Sequence, residues 1–491
     1  MRFSYSLSLL LACIIANAGE YAKPITGSWL NLAYQDVRNK YTNPTSIDYT
    51  DPTLWEAKVN ELNDMGVEYL VFMAVANEGK SYYPSKLMPS AYPEGRKSPV
   101  DAIMDAAAKN GQKVFLSIGW AKDQDDNLRK PEIKQRQLDI MKELAERYAN
   151  HPALFGWYLP VEDCLCPVLS EHAVKAVNEL TARARTLTPN KKILISPYGI
   201  FQSDFANPLF EKRLSELKVD IIAYQDEVGC VREAFPLPRL RENWKKLRNI
   251  HDRIGIELWA NCETFTWEGG TNDRSSALIP AAFPRLLAQQ VAATEGGVER
   301  IISFMMYGII ENPNTDFQLG QPAGSHETYS DYIAWKSGDA KWAKMEQALC
   351  GKTLSNLAKK VTSRKNNLSA LADGAFAEEN AADNRWEAFP KGDNEIIIEL
   401  RDECTPKSIF ARCLHYRPKN ILPPTMISIS SSIDGKEFKL NKIKTISTPS
   451  NDKHDAWADI VFIPLKSENA RYLKITFASD APVYLDEIVI E

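Results

Sequence analysis

Short apolar runs rich in β-forming residues alternate with amphipathic stretches between Ile25 and about Ile310. Eight of these runs are predicted strands, at Ile25 to Tyr34, Val67 to Ala76, Lys113 to Trp120, Leu154 to Pro160, Lys192 to Tyr198, Val219 to Gln225, Ile256 to Glu263 and Arg300 to Tyr307. The segments between them repeat apolar residues every three or four positions, as Pro131 to Ala149 does, which is typical of helices buried on one face. The alternation predicts a parallel sheet wrapped by helices.

Eight strands that each lead into a helix predict a closed (β/α)8 barrel, the α/β fold also called the TIM barrel. The alternative is a doubly wound open sheet, which usually has fewer strands. The first strand-to-helix turn also lacks the G-x-G-x-x-G loop that marks many open sheets. We therefore assign a closed barrel to residues 19–350.

The pattern changes near Gly351, after a predicted helical segment from Tyr329 to Leu349. Beyond it, turns separate six β-rich runs, at Glu395 to Leu400, Ser408 to Tyr416, Met426 to Ser432, Ile460 to Pro464, Arg471 to Phe477 and Val483 to Ile490. Strands at this spacing without intervening helices are typical of an antiparallel β-sandwich. Residues 351–491 are therefore predicted as a second domain.

The first 18 residues have the pattern of a signal peptide. Arg2 precedes an apolar run from Leu7 to Ile15, and Ala16 to Ala18 form a small-x-small cleavage site. We expect an exported protein, periplasmic or secreted, whose mature chain begins near Gly19.

Two alternatives remain for this segment. Cys13 ends a loose lipobox, and its lipidation would anchor the protein at the cell surface, although Ile14 and Ile15 continue the apolar run past it. An uncleaved membrane helix is disfavoured, because the run is shorter than the roughly 20 residues that a span needs.

The composition is that of a soluble globular protein, with 44% hydrophobic and 25% charged residues and a formal net charge of -5. The chain has no excess of basic residues, so its composition does not point to a nucleic-acid partner. We expect a monomer that meets a membrane only if Cys13 is lipidated.

Removal of a signal peptide would leave seven of the eight cysteines. Because seven is odd, at least one thiol is expected to be free or intermolecular in an oxidising compartment. The candidate disulfides are Cys164 or Cys166 with Cys230 or Cys262, and Cys404 with Cys413. Zinc is disfavoured, because the expected spacings with His are absent.

In a (β/α)8 barrel, reactive groups lie at the C-terminal ends of the strands and in the loops that follow. At those ends this sequence carries aromatic, amide and acidic side chains: Trp120, Trp157, Tyr158, Tyr198, Tyr224, Gln225, Asp226, Trp259, Asn261 and Tyr307. Sugar rings stack on aromatic faces, and their hydroxyls hydrogen-bond to amides and acids. We expect these residues to bind a carbohydrate.

Glu162 and Glu263 are the candidate catalytic pair, because they follow the fourth and seventh predicted strands. Glycoside cleavage needs one carboxyl group that protonates the leaving oxygen and another that attacks the anomeric carbon or activates water. Each glutamate taken alone is about as well explained as a solvated loop residue. The apolar runs before both glutamates favour a partly buried rim instead.

Asp226 is a third candidate, for substrate binding or pKa tuning, with a structural ion pair as the alternative. Glu227 and Asp163 are expected to be solvated. The sequence has neither an H-E-x-x-H motif nor a set of Ser, His and Asp at strand ends, so zinc- or serine-based hydrolysis is disfavoured.

Three motifs carry a resemblance to a known family: Gly156 to Glu162, Ala223 to Gly229 and Leu258 to Phe265. They resemble the glycosyl-hydrolase-like barrel family known as a domain of unknown function in polysaccharide-degrading bacteria. Their placement is also similar to a large clan of retaining glycosidases, which implies Glu162 as acid/base and Glu263 as nucleophile. That clan typically has Asn before the acid, where this chain has Val161, so inversion stays open beside retention.

The C-terminal segment resembles the galactose-binding-like, discoidin-type jelly roll. The resemblance is carried by Leu371 to Gly374, Trp386, Ile396 to Leu400, Ile429 to Phe438, Ala470 to Ile475 and Leu485 to Ile488. It implies a module that binds glycan or braces the barrel, and bracing is favoured because the loops show no aromatic cluster. It also implies a possible structural calcium ion near Asp373.

The leading hypothesis is therefore a glycoside hydrolase that needs no cofactor and acts on a poly- or oligosaccharide. A non-catalytic glycan-binding protein on the same scaffold is the alternative. A polysaccharide lyase is a third interpretation, and it would release an unsaturated product that absorbs in the ultraviolet.

Overall fold

A computed structural model gives the fold of the protein and describes residues 21–32, 40–41, 47–120, 122, 128–229, 237–269, 273, 275–319, 322–350, 356–363, 366–378, 380–446 and 456–491. The predicted signal peptide, with Cys13, lies outside the described residues. Among the described residues, no helix combines the length and apolar character that a membrane span needs.

Eight parallel strands form a closed barrel: β1 (Ile25–Leu30), β2 (Tyr69–Phe72), β3 (Lys113–Ser117), β4 (Leu154–Tyr158), β5 (Lys192–Ile195), β6 (Ile221–Gln225), β7 (Glu257–Glu263) and β8 (Arg300–Phe304). Each strand pairs with the next one in sequence, and β8 pairs with β1 to close the barrel. The predicted (β/α)8 barrel is therefore confirmed. Several strands end before their predicted limits, β8 at Phe304 rather than Tyr307, because the chain leaves the sheet at the barrel mouth.

Nine helices are described around and after the strands: α1 (Pro52–Asp64), α2 (Pro99–Asn110), α3 (Pro131–Tyr148), α4 (Glu171–Leu187), α5 (Pro208–Ser215), α6 (Leu237–Ile254), α7 (Phe283–Glu295), α8 (Ser325–Lys336) and α9 (Ala340–Leu349). Side chains cap four of the barrel helices: Asp51 on α1, Ser98 on α2, Ser170 on α4 and Asn207 on α5. Each cap accepts a backbone N–H that has no partner within the helix. These local signals fix where the helices begin.

The C-terminal domain is a sandwich of two antiparallel sheets. Its strands are β9 (Ala358–Ser363), β10 (Asn366–Asn367), β11 (Glu387–Phe389), β12 (Gly392–Cys404), β13 (Ser408–His415), β14 (Met426–Ser432), β15 (Lys439–Thr445), β16 (Trp457–Pro464), β17 (Ala470–Ser479) and β18 (Val483–Ile490). One sheet has the order β10-β9-β12-β17-β14-β15 and the other β11-β18-β13-β16. Inward residues of both sheets form one core, so the predicted sandwich is also confirmed.

The four-stranded sheet packs against the barrel. Phe410, Ile460 and Val489 belong to the same buried cluster as the barrel core. Strand β16 contacts both α7 and α9, and ion pairs join Lys344 to Glu491 and Lys341 to Asp459. The two domains therefore share an apolar interface that includes α7.

Candidate active site

Glu162 lies in the loop after β4, where it is exposed to solvent. The side chain of Gln225, the last residue of β6, donates a hydrogen bond of 2.6 Å from Nε2 to Oε1 of Glu162. The same Nε2 lies 3.2 Å from the carbonyl oxygen of Ser196, which follows β5. Neighbouring strand ends thus hold one oxygen of the Glu162 carboxylate in place.

Glu263 is the last residue of β7, and only 4% of it is exposed. Alternate residues of a strand face the same side, so Glu263 shares its side of β7 with Asn261. Asn261 points into the barrel, because its Oδ1 accepts a hydrogen bond of 3.0 Å from Nε1 of Trp29 on the neighbouring side of the mouth. The side chain of Glu263 therefore leaves β7 on the inner face of the barrel, at its rim.

A chain of hydrogen bonds connects the surroundings of the two glutamates. Asn261 donates from Nδ2 to Oγ of Ser196 at 3.1 Å, and the carbonyl of Ser196 accepts from Gln225, which holds Glu162. The links cross β5, β6 and β7 without interruption. The barrel thus brings the loop of Glu162 and the strand of Glu263 to one side of its mouth.

The aromatic rings of Trp29 and Tyr158 contact each other beside this chain of hydrogen bonds. Their rings meet edge to face, with centroids 4.6 Å apart. Burial keeps the pKa of Tyr158 well above its usual value, and the negative charge of Glu162 adds to this effect. Tyr158 is therefore a neutral phenol next to the exposed carboxylate.

Asp226 is fully buried and makes no described ion pair. Its Oδ1 accepts from the backbone N–H of Glu263 at 3.0 Å, and its Oδ2 accepts from Nε2 of Gln289 at 2.7 Å. Burial raises the pKa of Asp226, while these hydrogen bonds oppose the rise. Its contacts join the ends of β6 and β7 rather than reach the mouth.

Three predicted sugar-binding aromatics pack elsewhere in the barrel. Trp157 donates from Nε1 to Thr188 at the end of α4 at 2.7 Å, and Tyr224 contacts His251 of α6 at 2.8 Å. Trp259 lies near the start of β7, where its ring meets Tyr69 edge to face. Because these partners lie away from the mouth, the structure does not place the three side chains with the two glutamates.

The remaining predicted residues lie around the mouth with different partners. The hydroxyl of Tyr307 donates to the Asn31 carbonyl at 2.6 Å, which fixes Tyr307 against the end of β1. Trp120 is 6% exposed after β3. Tyr198 is half-buried after β5, and its carbonyl accepts from Leu165 in the Glu162 loop at 2.8 Å.

Two acidic residues that were expected to be solvated are half-buried and hydrogen-bonded. Asp163 accepts from the hydroxyl of Ser170 at 2.6 Å. Glu227 accepts from the backbone N–H of Gly199 at 2.9 Å. Both expectations are therefore wrong, because these carboxylates fix loops next to the strand ends.

The thiols of Cys164, Cys262, Cys350, Cys404 and Cys413 are free. The suggested bridge between Cys404 and Cys413 is wrong, because neither cysteine takes part in a disulfide. The suggested Cys262 bridge is wrong as well, because the buried Cys262 takes part in no disulfide. Cys230 lies outside the described residues.

Among the described residues, no three His, Cys, Asp or Glu side chains form a group that could hold a metal ion. Near Asp373, burial and the charges of Asp373 and Asp486 raise the pKa of Glu487 to about 8. Asp486, however, already pairs with Arg412, and Glu487 accepts from the Gly374 N–H at 3.1 Å. These side chains alone do not form a calcium site.

Sequence reasoning missed four residues that support the two glutamates: Trp29, Ser196, Arg285 and Gln289. A signal was present for Ser196, which lies near the end of a predicted strand, whereas Trp29 lies in the middle of the strand predicted at Ile25 to Tyr34. Arg285 and Gln289 gave none, because they lie on helix α7 and polar residues of a helix that wraps a barrel usually face solvent. Both are buried.

The fold is a (β/α)8 barrel that brings the loop of Glu162 and the strand of Glu263 to one side of its mouth, followed by a β-sandwich. The family model of a domain of unknown function, DUF4434, matches residues 25–316. The chain therefore belongs to the DUF4434 family. A comparison with curated proteins found no match.

Several solved structures resemble the chain at low identity. A candidate α-L-fucosidase from Bacteroides thetaiotaomicron VPI-5482 is 16% identical with a TM-score of 0.49, and the match covers 65% of this chain and 96% of that one. A glycoside hydrolase family 5 protein from Bacteroides vulgatus ATCC 8482 is 11% identical with a TM-score of 0.40, over 87% and 86% of the two chains. The CBM32 domain of AlyQ, in complex with 4,5-unsaturated mannuronic acid, is 17% identical with a TM-score of 0.21, over 28% and 98%. Because each TM-score is below 0.5, the functional argument rests on this chain's own site.

Proposed function

We propose that the protein is a glycoside hydrolase in which Glu162 is the general acid/base and Glu263 the nucleophile. The observation that carries the proposal is the hydrogen-bond chain from Glu162 through Gln225 and Ser196 to Asn261, two residues before Glu263. Glycoside cleavage requires two carboxyl groups, and the chain supports the proposal because it joins the surroundings of two glutamates at one barrel mouth. No cofactor is needed for this reaction.

In the first step, Glu263 attacks the anomeric carbon while Glu162 gives its proton to the departing glycosidic oxygen. This step forms a covalent glycosyl-enzyme and releases the leaving sugar as an alcohol. In the second step, Glu162 takes a proton from water, whose oxygen attacks the anomeric carbon and releases Glu263. Glu162 is exposed and can exchange protons with water, whereas the buried position of Glu263 shields the covalent bond.

The substrate in this proposal is a poly- or oligosaccharide bound at the mouth by Trp29, Tyr158, Gln225 and Asn261, with Trp120, Tyr198 and Tyr307 around them. Trp157, Tyr224 and Trp259 are not part of the binding set, because they contact the end of α4, helix α6 and Tyr69 instead of the mouth. We retain export, a monomeric state and the absence of a nucleic-acid partner as parts of the proposal.

The test compares Glu162→Gln and Glu263→Gln with the wild type on a polysaccharide panel, with released reducing ends as the measurement. Glu227→Gln is the matched control, since it changes a carboxylate at a strand end and keeps an acceptor for the Gly199 N–H. We expect turnover to be lost in the first two variants and kept in the third. Normal turnover in folded Glu162→Gln and Glu263→Gln variants would refute the proposal.

Two further outcomes of the same panel would point to the other interpretations. Tight glycan binding with no released ends would favour a glycan-binding protein. A product that absorbs in the ultraviolet would favour a lyase. The anomeric form of the first product, observed by NMR, separates retention from inversion.

For the C-terminal sandwich we propose bracing as its first role, supported by its apolar contact with α7 and α9. Calcium near Asp373 remains a proposal that would need backbone carbonyls as additional ligands. Added Ca²⁺ should then raise the unfolding temperature and a chelator lower it. An unchanged temperature in both cases would remove calcium from the proposal.

A further inference from the structure

The peptide groups on both sides of the Glu263 Cα are held by buried side chains. On one side, Oδ1 of Asp226 accepts from the Glu263 N–H at 3.0 Å. On the other, the Glu263 carbonyl accepts from Nη2 of Arg285 at 2.9 Å and from Nε2 of Gln289 at 3.2 Å. Asp226, Arg285 and Gln289 are each at most 2% exposed.

Further hydrogen bonds join Gln289 to Asp226 and Arg285 to the segment that follows β7. Nε2 of Gln289 donates to Oδ2 of Asp226 at 2.7 Å, and Nη2 of Arg285 also donates to the carbonyl of Phe265 at 2.8 Å. Arg285 and Gln289 lie four residues apart on α7, so they project from the same face of that helix. The network thus connects the end of β6, the end of β7 and one helix.

From this geometry we infer that Asp226, Gln289 and Arg285 are positioning residues, which act through the backbone of Glu263 to aim its carboxylate into the mouth. The inference rests on the proposed role of Glu263 and goes beyond it by naming what sets its direction. The two flanking peptide groups fix the direction of the Cα–Cβ bond of Glu263. Its carboxylate therefore projects from the strand end in one direction. A misplacement of about 1 Å in such a group can cost roughly 100-fold in rate.

The hydrogen bonds of Asp226 are those of a buried structural carboxylate that does not contact solvent. Asp226 accepts from two backbone N–H groups, those of Glu263 and Val228, in addition to Gln289. A buried carboxylate is costly unless donors satisfy it, and here three donors converge on it. Because its oxygens are already bound by the protein, Asp226 acts on Glu263 and not on the sugar.

The test uses Asp226→Asn and Gln289→Leu in the full-length protein. Asn keeps an acceptor for the Glu263 N–H but presents an amide N–H₂ to Gln289, whereas Leu removes both bonds from Gln289. On the panel substrate that the wild type cleaves, we expect kcat to fall roughly 10- to 100-fold with KM within about threefold. The carboxylate moves while the sugar-binding groups stay.

Glu346→Gln is the matched control. Glu346 is also a buried carboxylate with several donors, the N–H groups of Tyr21 and Ala22 and the Trp335 indole, but it lies on α9 away from the mouth. We expect this variant to have a lower unfolding temperature, as the two test variants do, but to keep the wild-type kcat. Normal kcat in folded Asp226→Asn and Gln289→Leu would overturn the inference.

A measurement on the wild type covers the case in which the variants do not fold. Hydrogen exchange, read in overlapping peptides that resolve the Glu263 amide, should place this amide among the slowest of the chain. Fast exchange there would overturn the inference without any substrate. If Glu263→Gln keeps full turnover, the proposed function fails while hydrogen exchange still tests the network, so the two failures are distinguishable.

Discussion

Nε2 of Gln225 lies 2.6 Å from Oε1 of Glu162, although the two residues are 63 positions apart in the sequence. Gln225 ends a barrel strand, whereas Glu162 stands in a loop and is exposed. The amide therefore anchors a side chain that would otherwise sample several rotamers in water. In the proposed reaction, this contact determines where the proton is delivered.

Replacement of Gln225 by Leu should lower kcat/KM about tenfold, because loss of one hydrogen bond to a carboxylate is worth roughly 1.5 kcal/mol. Steady-state kinetics on the panel substrate measure this decrease in kcat/KM. Gln112→Leu is the control, since Nε2 of Gln112 donates to the Val67 carbonyl at 2.9 Å at the opposite end of the barrel. Equal activity in both variants would contradict a role for Gln225.

Replacement of Lys58 by Met should destabilise the barrel by about 3–5 kcal/mol. Lys58 on α1 pairs with Glu311 at 2.9 Å, and both side chains are 1% exposed. Removal of the lysine leaves a buried carboxylate without its cation. Denaturant titration measures the loss, and the double variant Lys58→Met with Glu311→Leu should recover much of it. A double variant as unstable as the single one would show that the charge is not the cause.

The sandwich should lose stability through Glu487 as the pH rises. Burial, with the charges of Asp373 and Asp486, raises the pKa of Glu487 from 4.5 to about 8. Between these values the folded state binds more protons than the unfolded state, so the free energy of unfolding falls with increasing pH. Glu487→Gln should thus gain stability over the wild type between pH 5 and pH 8, as measured by urea titration. A difference that stays constant with pH would contradict this assignment.

The barrel should show the opposite slope through His251. Burial lowers the pKa of His251 from 6.5 to about 4, and its ring is held between the Tyr224 hydroxyl and the Ile256 carbonyl. Between these values the unfolded state binds more protons, so stability falls as the pH drops from 6.5 towards 4. Relative to His251→Gln, the wild type should lose stability over this range in urea titrations. Parallel curves for the two proteins would speak against a buried neutral imidazole.

The fold was predictable because its strands are buried and its helices amphipathic. Strand β15 (Lys439–Thr445) escaped prediction for the converse reason, since six of its seven residues are exposed and leave no apolar alternation. The strand ends predicted which residues belong to the mouth region, but not their direction. Tyr224 and Gln225 are adjacent, yet one contacts α6 and the other Glu162, because neighbouring strand residues point to opposite sides.

Helix α7 contacts both the candidate active site and the sandwich. Its inner face supplies Arg285 and Gln289 to the backbone of Glu263, and the helix also contacts β16 of the sandwich. Removal of the sandwich would therefore uncover the helix that holds the backbone of Glu263, the proposed nucleophile. If the proposed function holds, a chain shortened in this way should bind its polysaccharide almost normally and turn it over slowly, which is the reverse of what the loss of a carbohydrate-capturing appendage would produce.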